Sequence, residues 1–262
     1  MRERADKILV NRGLVGSRQK AQALIMEGLA FSNNIRIDKP GQMLSLDQEI
    51  FLKKKLPFVG RGGLKLASVL DQLKLKVKDI ISADLGASTG GFVDCLLQRG
   101  AKKVYAVDVD TRQIDCKLRE DPRVILIEKN ARYLSEDDFK DDLDLVTMDL
   151  SFISVLKVIP AVKSFLGKGE LLVLIKPQFE AGRHQVGKKG VVRDSSVHKE
   201  VLEKIIKETE RLGFSVIALV KSQVLGQKGN QEFFLHCSLN KSKKDREKIK
   251  GMILEVIGGD RN

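Results

Sequence analysis

Seven short apolar runs, separated by segments of helical periodicity, constrain this chain most. They are DIISADL (79–85), KVYAVDV (103–109), RVILIE (123–128), LDLVTMD (143–149), ELLVLIK (170–176), FSVIALV (214–220) and EFFLHCS (232–238). Runs this short and apolar predict strands buried on both faces, which helices must cover. In VHKEVLEKIIKETERLG, Val197, Val201, Ile205 and Leu212 keep to one helix face and Gly213 stops it. The alternation predicts an α/β fold, a doubly wound and mostly parallel sheet. At 262 residues there is material for that core and one small extra unit. The charged stretch 241–250 is expected to open a solvated helix. Its apolar stripe, Ile249, Met252, Ile253 and Val256, would pack back on the sheet.

The first 56 residues follow another pattern. Ala5, Ile8 and Leu9 share one face of a helix that carries Arg4 and Arg12. Ser17 is placed to N-cap a second helix, SRQKAQALIMEG, with Ala21, Leu24 and Ile25 inward and Gly28 at its C′ position. Arg18 and Lys20 fall on its first turn. The strand-like pieces LAFSNNIRI and EIFLKK follow, with turns at Asn33-Asn34 and Lys39-Pro40-Gly41. A small α+β domain is expected over 1–56. Pro57, Gly60 and Gly62-Gly63 suggest a linker over 57–63, leaving 64–262 as the large domain.

A surplus of 47 Lys and Arg over 35 Asp and Glu, +12 in all, points to a polyanionic partner, nucleic acid before membrane. Three scattered cysteines, Cys95, Cys116 and Cys237, fit a reducing, cytoplasmic setting and offer no metal-ligand spacing. No signal core and no apolar run near the roughly 20 residues of a bilayer span is evident, so no membrane partner is expected.

DLGASTGGF (84–92) leaves a strand and opens a helix, as a nucleotide-binding loop does. Gly86 permits the sharp turn, and Gly90 and Gly91 let the backbone approach a ligand. The spacing D-x-G-x-x-x-G is not the dinucleotide fingerprint, and Asp84 would oppose a pyrophosphate. Both details favour S-adenosylmethionine, with Ala87, Ser88 and Thr89 completing the loop. Asp108, ending the next strand, is placed for the ribose hydroxyls, Asn130, after RVILIE, for the adenine, and Asp149, ending LDLVTMD, is counted with the cofactor-binding residues.

Lys65, Asp149, Lys176 and Glu232 flank predicted element ends, and the carboxyl edge of such a sheet is where ligands bind. A Lys-Asp-Lys-Glu set suits removal of a proton from a ribose 2′-hydroxyl, with Lys176 as the central lysine at lowered pKa and Lys65 as the second cation. Asp149 and Glu232 would hold both lysines in line. Glu232 reaches the cleft only if the last strand is antiparallel.

RADKILVNRGLVGSRQKAQALIMEG and IDKPGQML resemble the S-four RNA-binding domain, which makes Arg4, Arg18 and Lys20 phosphate contacts. RGGLKLASVL, DLGASTGGF, MDLSFIS, IKPQFEAGRHQVGKKGVVRD and GNQEFF, behind that domain, resemble the TlyA family over about residues 2–240. The resemblance implies a Rossmann-like, seven-stranded, FtsJ-like methyltransferase sheet. It implies S-adenosylmethionine as cofactor and methylation of a cytidine 2′-hydroxyl in ribosomal RNA. The catalytic set would be Lys65, Asp149, Lys176 and Glu232. The partner would be ribosomal RNA or a ribosomal subunit, with no obligate protein partner evident. Ala67-Ser68 departs from the family, which commonly has an acidic residue there. Two other readings stand beside this one, a membrane-active haemolysin and an RNA-binding protein without catalysis.

Overall fold

Short elements build the N-terminal unit in the order β1 (Arg2–Arg4), α1 (Ala5–Asn11), α2 (Arg18–Met26), β2 (Ala30–Ser32), β3 (Ile35–Arg36), β4 (Met43–Ser45) and β5 (Ile50–Leu52). The computed structural model describes residues 2–26, 28–53, 57–241 and 244–258. It divides into two compact units, 1–56 and 57–262. The last residues of SRQKAQALIMEG and EIFLKK fall partly outside the described residues, at 27 and 54, as do 242–243 of the charged tail. In the first unit the inward faces of α1 and α2 meet through Ala5, Ile8, Leu9, Ala21 and Ile25. β1 pairs with β4, and β2 with both β3 and β5, all antiparallel. Ser17 caps α2, its Oγ accepting the Lys20 N–H at 3.2 Å.

The second unit runs α3 (Arg61–Leu73), β6 (Ile81–Leu85), α4 (Gly91–Gln98), β7 (Lys103–Asp108), α5 (Cys116–Arg119), β8 (Val124–Glu128), β9 (Leu145–Met148), α6 (Ile159–Phe165), β10 (Glu170–Ile175), α7 (Pro177–Glu180), α8 (Ser195–Arg211), β11 (Ser215–Lys221), β12 (Phe233–Ser238) and α9 (Arg246–Gly258). All seven apolar runs are strands of one sheet, ordered β11-β12-β10-β9-β6-β7-β8. Only β12 is reversed, antiparallel to β10 and to β11. The period-2 rule sorts their side chains. Leu171, Val173 and Ile175 join the apolar layer under α6, α8 and α9, while Leu172 and Leu174 join the layer under α3 and α4. The fold is therefore the doubly wound, Rossmann-like α/β sheet expected. Strand order turns at β6 and β9, which opens a crevice at their carboxyl ends.

Ile249, Ile253 and Val256 of α9 are buried in the first layer, as the stripe predicted. The segment 57–63 differs from the expected linker. Phe58 and Val59 pack on the second layer, and Arg61 already opens α3. The Val59 N–H donates to Asp94 at 2.8 Å, and Gln98 donates to the Pro57 carbonyl at 2.9 Å. Gly62 and Gly63, expected in the linker, lie in the first turn of this helix.

Candidate active site

A cavity of about 310 Å³ opens where β6, β9 and β10 end and β12 begins, and Lys65, Asp84, Asp149, Lys176 and Glu232 all line it. Lys65 arrives from α3 and Glu232 from the start of the reversed strand. Their side chains meet with Nζ to Oε2 at 2.6 Å. Lys176, ending β10, meets Asp149, ending β9, with Nζ to Oδ1 at 2.6 Å. The four residues thus form two ion pairs. Each lysine is matched to its own carboxylate, rather than organised by the other lysine's charge. Lys65, Lys176 and Glu232 are buried. Buried pairs bring little net stability, because desolvation offsets their attraction, whereas stranding one partner costs about 3–5 kcal/mol. Two of them in one open cavity have a chemical use more readily than a structural one.

Three further groups, not singled out in the sequence, hold this arrangement. Ser151 Oγ lies 3.0 Å from Lys176 Nζ, so the ammonium has a second acceptor. Gln178 Nε2 donates to Glu232 Oε1 at 3.1 Å and leaves Oε2 to Lys65. Gly226 lies flat against the Glu232 carboxylate, and a Cβ there would overlap it. The Gly226 loop is itself fastened by buried Asn230. Asn230 Nδ2 donates to the Gln227 and Gly190 carbonyls at 3.0 and 2.9 Å, and its Oδ1 accepts the Val192 N–H at 3.0 Å. Ser151, Gln178 and Asn230 sit inside MDLSFIS, IKPQF and GNQEFF, so adjacency to the acidic and basic residues was the available signal.

The glycine loop follows β6 as expected. Gly86, Ala87, Ser88, Thr89 and Gly91 line the cavity with Asp84, and Gly90 caps α4 behind them. Asp84 is buried, and Thr147 Oγ1 donates to its Oδ1 at 2.7 Å. Burial pushes its carboxyl up to about 8, against the pull of that hydrogen bond, and nearby Asp149 and Asp108 raise it further. A carboxyl held neutral in a cavity wall is suited to a cationic ligand group, which would restore its charge.

Asp108 does not line the cavity. It braces the loop instead, accepting the Ser88 N–H at 2.8 Å and the Asp110 N–H at 3.1 Å. Each oxygen keeps a lone pair for a ligand. Asn130 also lies outside the cavity, exposed, with Oδ1 accepting the Arg132 N–H at 3.0 Å. Its side chain caps a short 3₁₀ turn. Arg4, Arg18 and Lys20 belong to the other unit. Lys20 is exposed, whereas Arg4 and Arg18 both donate to buried Asp6.

Gly86 has φ +86, and a Cβ there would stand 2.8 Å from the Asp149 carbonyl oxygen. The close approach it permits is to the protein's own backbone at β9. Gly86→Val combines a left-handed β-branched residue with that clash, and strain of this kind costs about 1–3 kcal/mol before any overlap is counted. The expected result is a lower melting temperature together with loss of cofactor affinity, because Asp149 is displaced. Unchanged calorimetric affinity in a folded variant would place the cofactor elsewhere.

One aromatic is conspicuous. Phe152 is 87% exposed and has φ +64, a conformation that costs a non-glycine residue energy. Its ring centroid lies 5.1 Å from that of Phe179, which lines the cavity. An exposed ring kept in a strained backbone at the mouth of a polar cavity is a surface for a flat ligand.

The chain matches two family models, the FtsJ-like methyltransferase over residues 58–239 and the S4 domain over residues 3–50. It is similar to YqxC of Bacillus subtilis, 46% identical over 239 residues, which span 90% of this chain and 85% of that protein. It is 37% identical over 238 residues to the 16S/23S rRNA (cytidine-2′-O)-methyltransferase TlyA of Mycobacterium tuberculosis, covering 89% of each chain. A solved structure from Streptococcus thermophilus that carries the name hemolysin is 42% identical, with a TM-score of 0.73, covering 97% of this chain and 95% of that one. The chain therefore belongs to the TlyA family, with an S4 domain followed by an FtsJ-like methyltransferase.

Proposed function

We propose that the protein methylates the 2′-hydroxyl of a cytidine in ribosomal RNA, with S-adenosylmethionine as cofactor. The paired Lys65–Glu232 and Lys176–Asp149 bridges at one cavity carry this reading. Asp84 fits the cofactor's cationic amino group, the 86–91 loop offers backbone along the same wall, and Asp108 can take ribose hydroxyls. When bound, the cofactor supplies an electrophilic methyl group on a sulfonium.

The chain's own residues must remove one proton from a weakly acidic hydroxyl. An ammonium cannot accept it alone, but the Lys176–Asp149 pair can. Nζ takes the hydroxyl proton as one of its own protons passes to Asp149 Oδ1, 2.6 Å away. Ser151 keeps Nζ aimed during the exchange. The Lys65 ammonium, fixed by Glu232, stabilises the developing oxyanion. Action on ribosomal RNA would place the protein in the cytoplasm. The hemolysin name of some relatives has no counterpart in a spanning helix, since no described helix is long and apolar enough to cross a membrane.

The test is to incubate the protein with unmodified ribosomal RNA transcripts and methyl-labelled cofactor, then digest to nucleosides. The label is expected in 2′-O-methylcytidine. Label confined to a methylated base would refute the ribose assignment.

Phe152 and Phe179 have a natural role beside this chemistry, as a stacking surface for the unpaired target base. Base–aromatic stacking is worth about 1–3 kcal/mol, so Phe152→Ala should lower kcat/KM roughly 5- to 150-fold. Thermal stability should hold, because the ring is exposed and alanine keeps the Cβ that bears on the left-handed conformation. Unchanged kcat/KM would remove Phe152 from substrate binding.

A further inference from the structure

Among the described residues of the S4 unit, its one fully buried carboxylate does more than join two elements. Asp6, in the first turn of α1, is completely buried. It accepts Arg4 Nε at Oδ1, and Arg4 Nη2, Arg18 Nη2 and Gln22 Nε2 at Oδ2, each at 2.9 to 3.0 Å. These bonds hold its carboxyl well below the usual range, Arg4 contributing most. Arg18 and Gln22 are one turn apart on α2 and so share a face.

The arginines remain open to solvent on their other sides, at 42% and 51% side-chain exposure. Arg4 Nη1 and Arg18 Nε and Nη1 donate to nothing among the described residues. Both Nη2 atoms sit 3.0 Å from the same Oδ2, so they lie no more than twice that distance apart. Two guanidinium charges less one carboxylate leave a single positive charge on two neighbouring, half-exposed head groups.

We propose that Asp6 is a positioning residue that holds Arg4 and Arg18 as one two-armed receptor for a single RNA backbone phosphate. It rests on the reading that this unit binds ribosomal RNA. Without Asp6, two like charges this close would repel and splay, and each long side chain would lose its fixed rotamer. With it, the fork geometry of both guanidiniums is set before RNA arrives.

The test uses the full-length protein and transcripts of 16S and 23S ribosomal RNA, with affinity measured across salt concentration. Asp6→Asn removes a negative charge, so simple Coulomb attraction would tighten RNA binding. The receptor requires the opposite, a loss of roughly 5- to 10-fold. Arg4→Gln and Arg18→Gln should each lower the salt slope by about 0.7, and the double variant by about 0.7 as well, because one phosphate is lost in every case. Each single variant leaves Asp6 two side-chain partners. If Asp6→Asn unfolds the small unit on a melting curve, these arginine variants decide the matter. A purely structural role would move the melting temperature and leave the salt slope unchanged, which would overturn the proposal. So would additive slope losses in the double variant, or tighter binding by a folded Asp6→Asn protein. Absence of RNA binding by the unaltered protein would instead defeat the RNA-binding reading itself.

Discussion

Lys176→Met is expected to lower kcat by roughly 10²- to 10⁴-fold, the range that a positioned proton acceptor contributes. Methionine keeps most of the stem, so the walls of the cavity stay filled. The Asp149 side chain is 19% exposed, but Oδ1, the oxygen that loses its partner, is buried, so some stability is lost with the ion pair. The fold and the cofactor affinity should survive that loss, and the largest damage should appear in kcat. Lys65→Met should behave differently. Its partner Glu232 is almost wholly buried, and a stranded carboxylate there costs about 3–5 kcal/mol. That variant should lose stability along with activity. Turnover assays beside thermal melts and calorimetry separate the two. A Lys176→Met enzyme of near-normal kcat would take Lys176 out of the proton path.

The second large effect concerns Asp84. Its carboxyl is pushed up to about 8 by burial, so at neutral pH it is mostly protonated before the cofactor binds. A cationic amino group favours the carboxylate, so binding must release that proton. By linkage, affinity rises with pH while Asp84 is protonated, by close to tenfold per unit well below 8, and levels off as pH reaches about 8. Calorimetry in buffers of different ionisation enthalpy should show about one proton released per cofactor at low pH and none above the plateau. Asp84→Asn should abolish the pH dependence and weaken binding at every pH. A flat affinity profile in the unaltered protein would mean that Asp84 does not face the cationic group.

The sheet was legible because most of its runs are buried on both faces and read as continuous apolar strings; the edge strand β8 is the exception, with Ile125 and Leu126 exposed. The reversal of β12 followed from a chemical demand, that Glu232 face the cleft, and the register with β10 meets it. Pairing was not legible. Lys65 and Glu232 are 167 residues apart, and nothing local says which carboxylate a lysine will take. Lys176 and Asp149 come from neighbouring strands, yet no pattern announces the Ser151 contact or the left-handed Phe152 that follows it. The 57–63 segment misled because Pro and Gly mark both linkers and tight helix starts. The turn cap at Asn130 was not legible, because the same side chain can face a ligand or cap a turn. Arg4 and Arg18 read as simple surface charges because Asp6 looks, in sequence, like an ordinary first-turn acid.

The most direct measurement is a nucleotide-resolution map of 2′-O-methylation in ribosomal RNA from cells with the intact gene, without it, and with Lys176→Met in its place. One or more cytidines should be modified with the intact protein and unmodified in both other strains. Identical maps in all three strains, or a modification that survives Lys176→Met, would contradict the assignment of this cavity to ribose methylation.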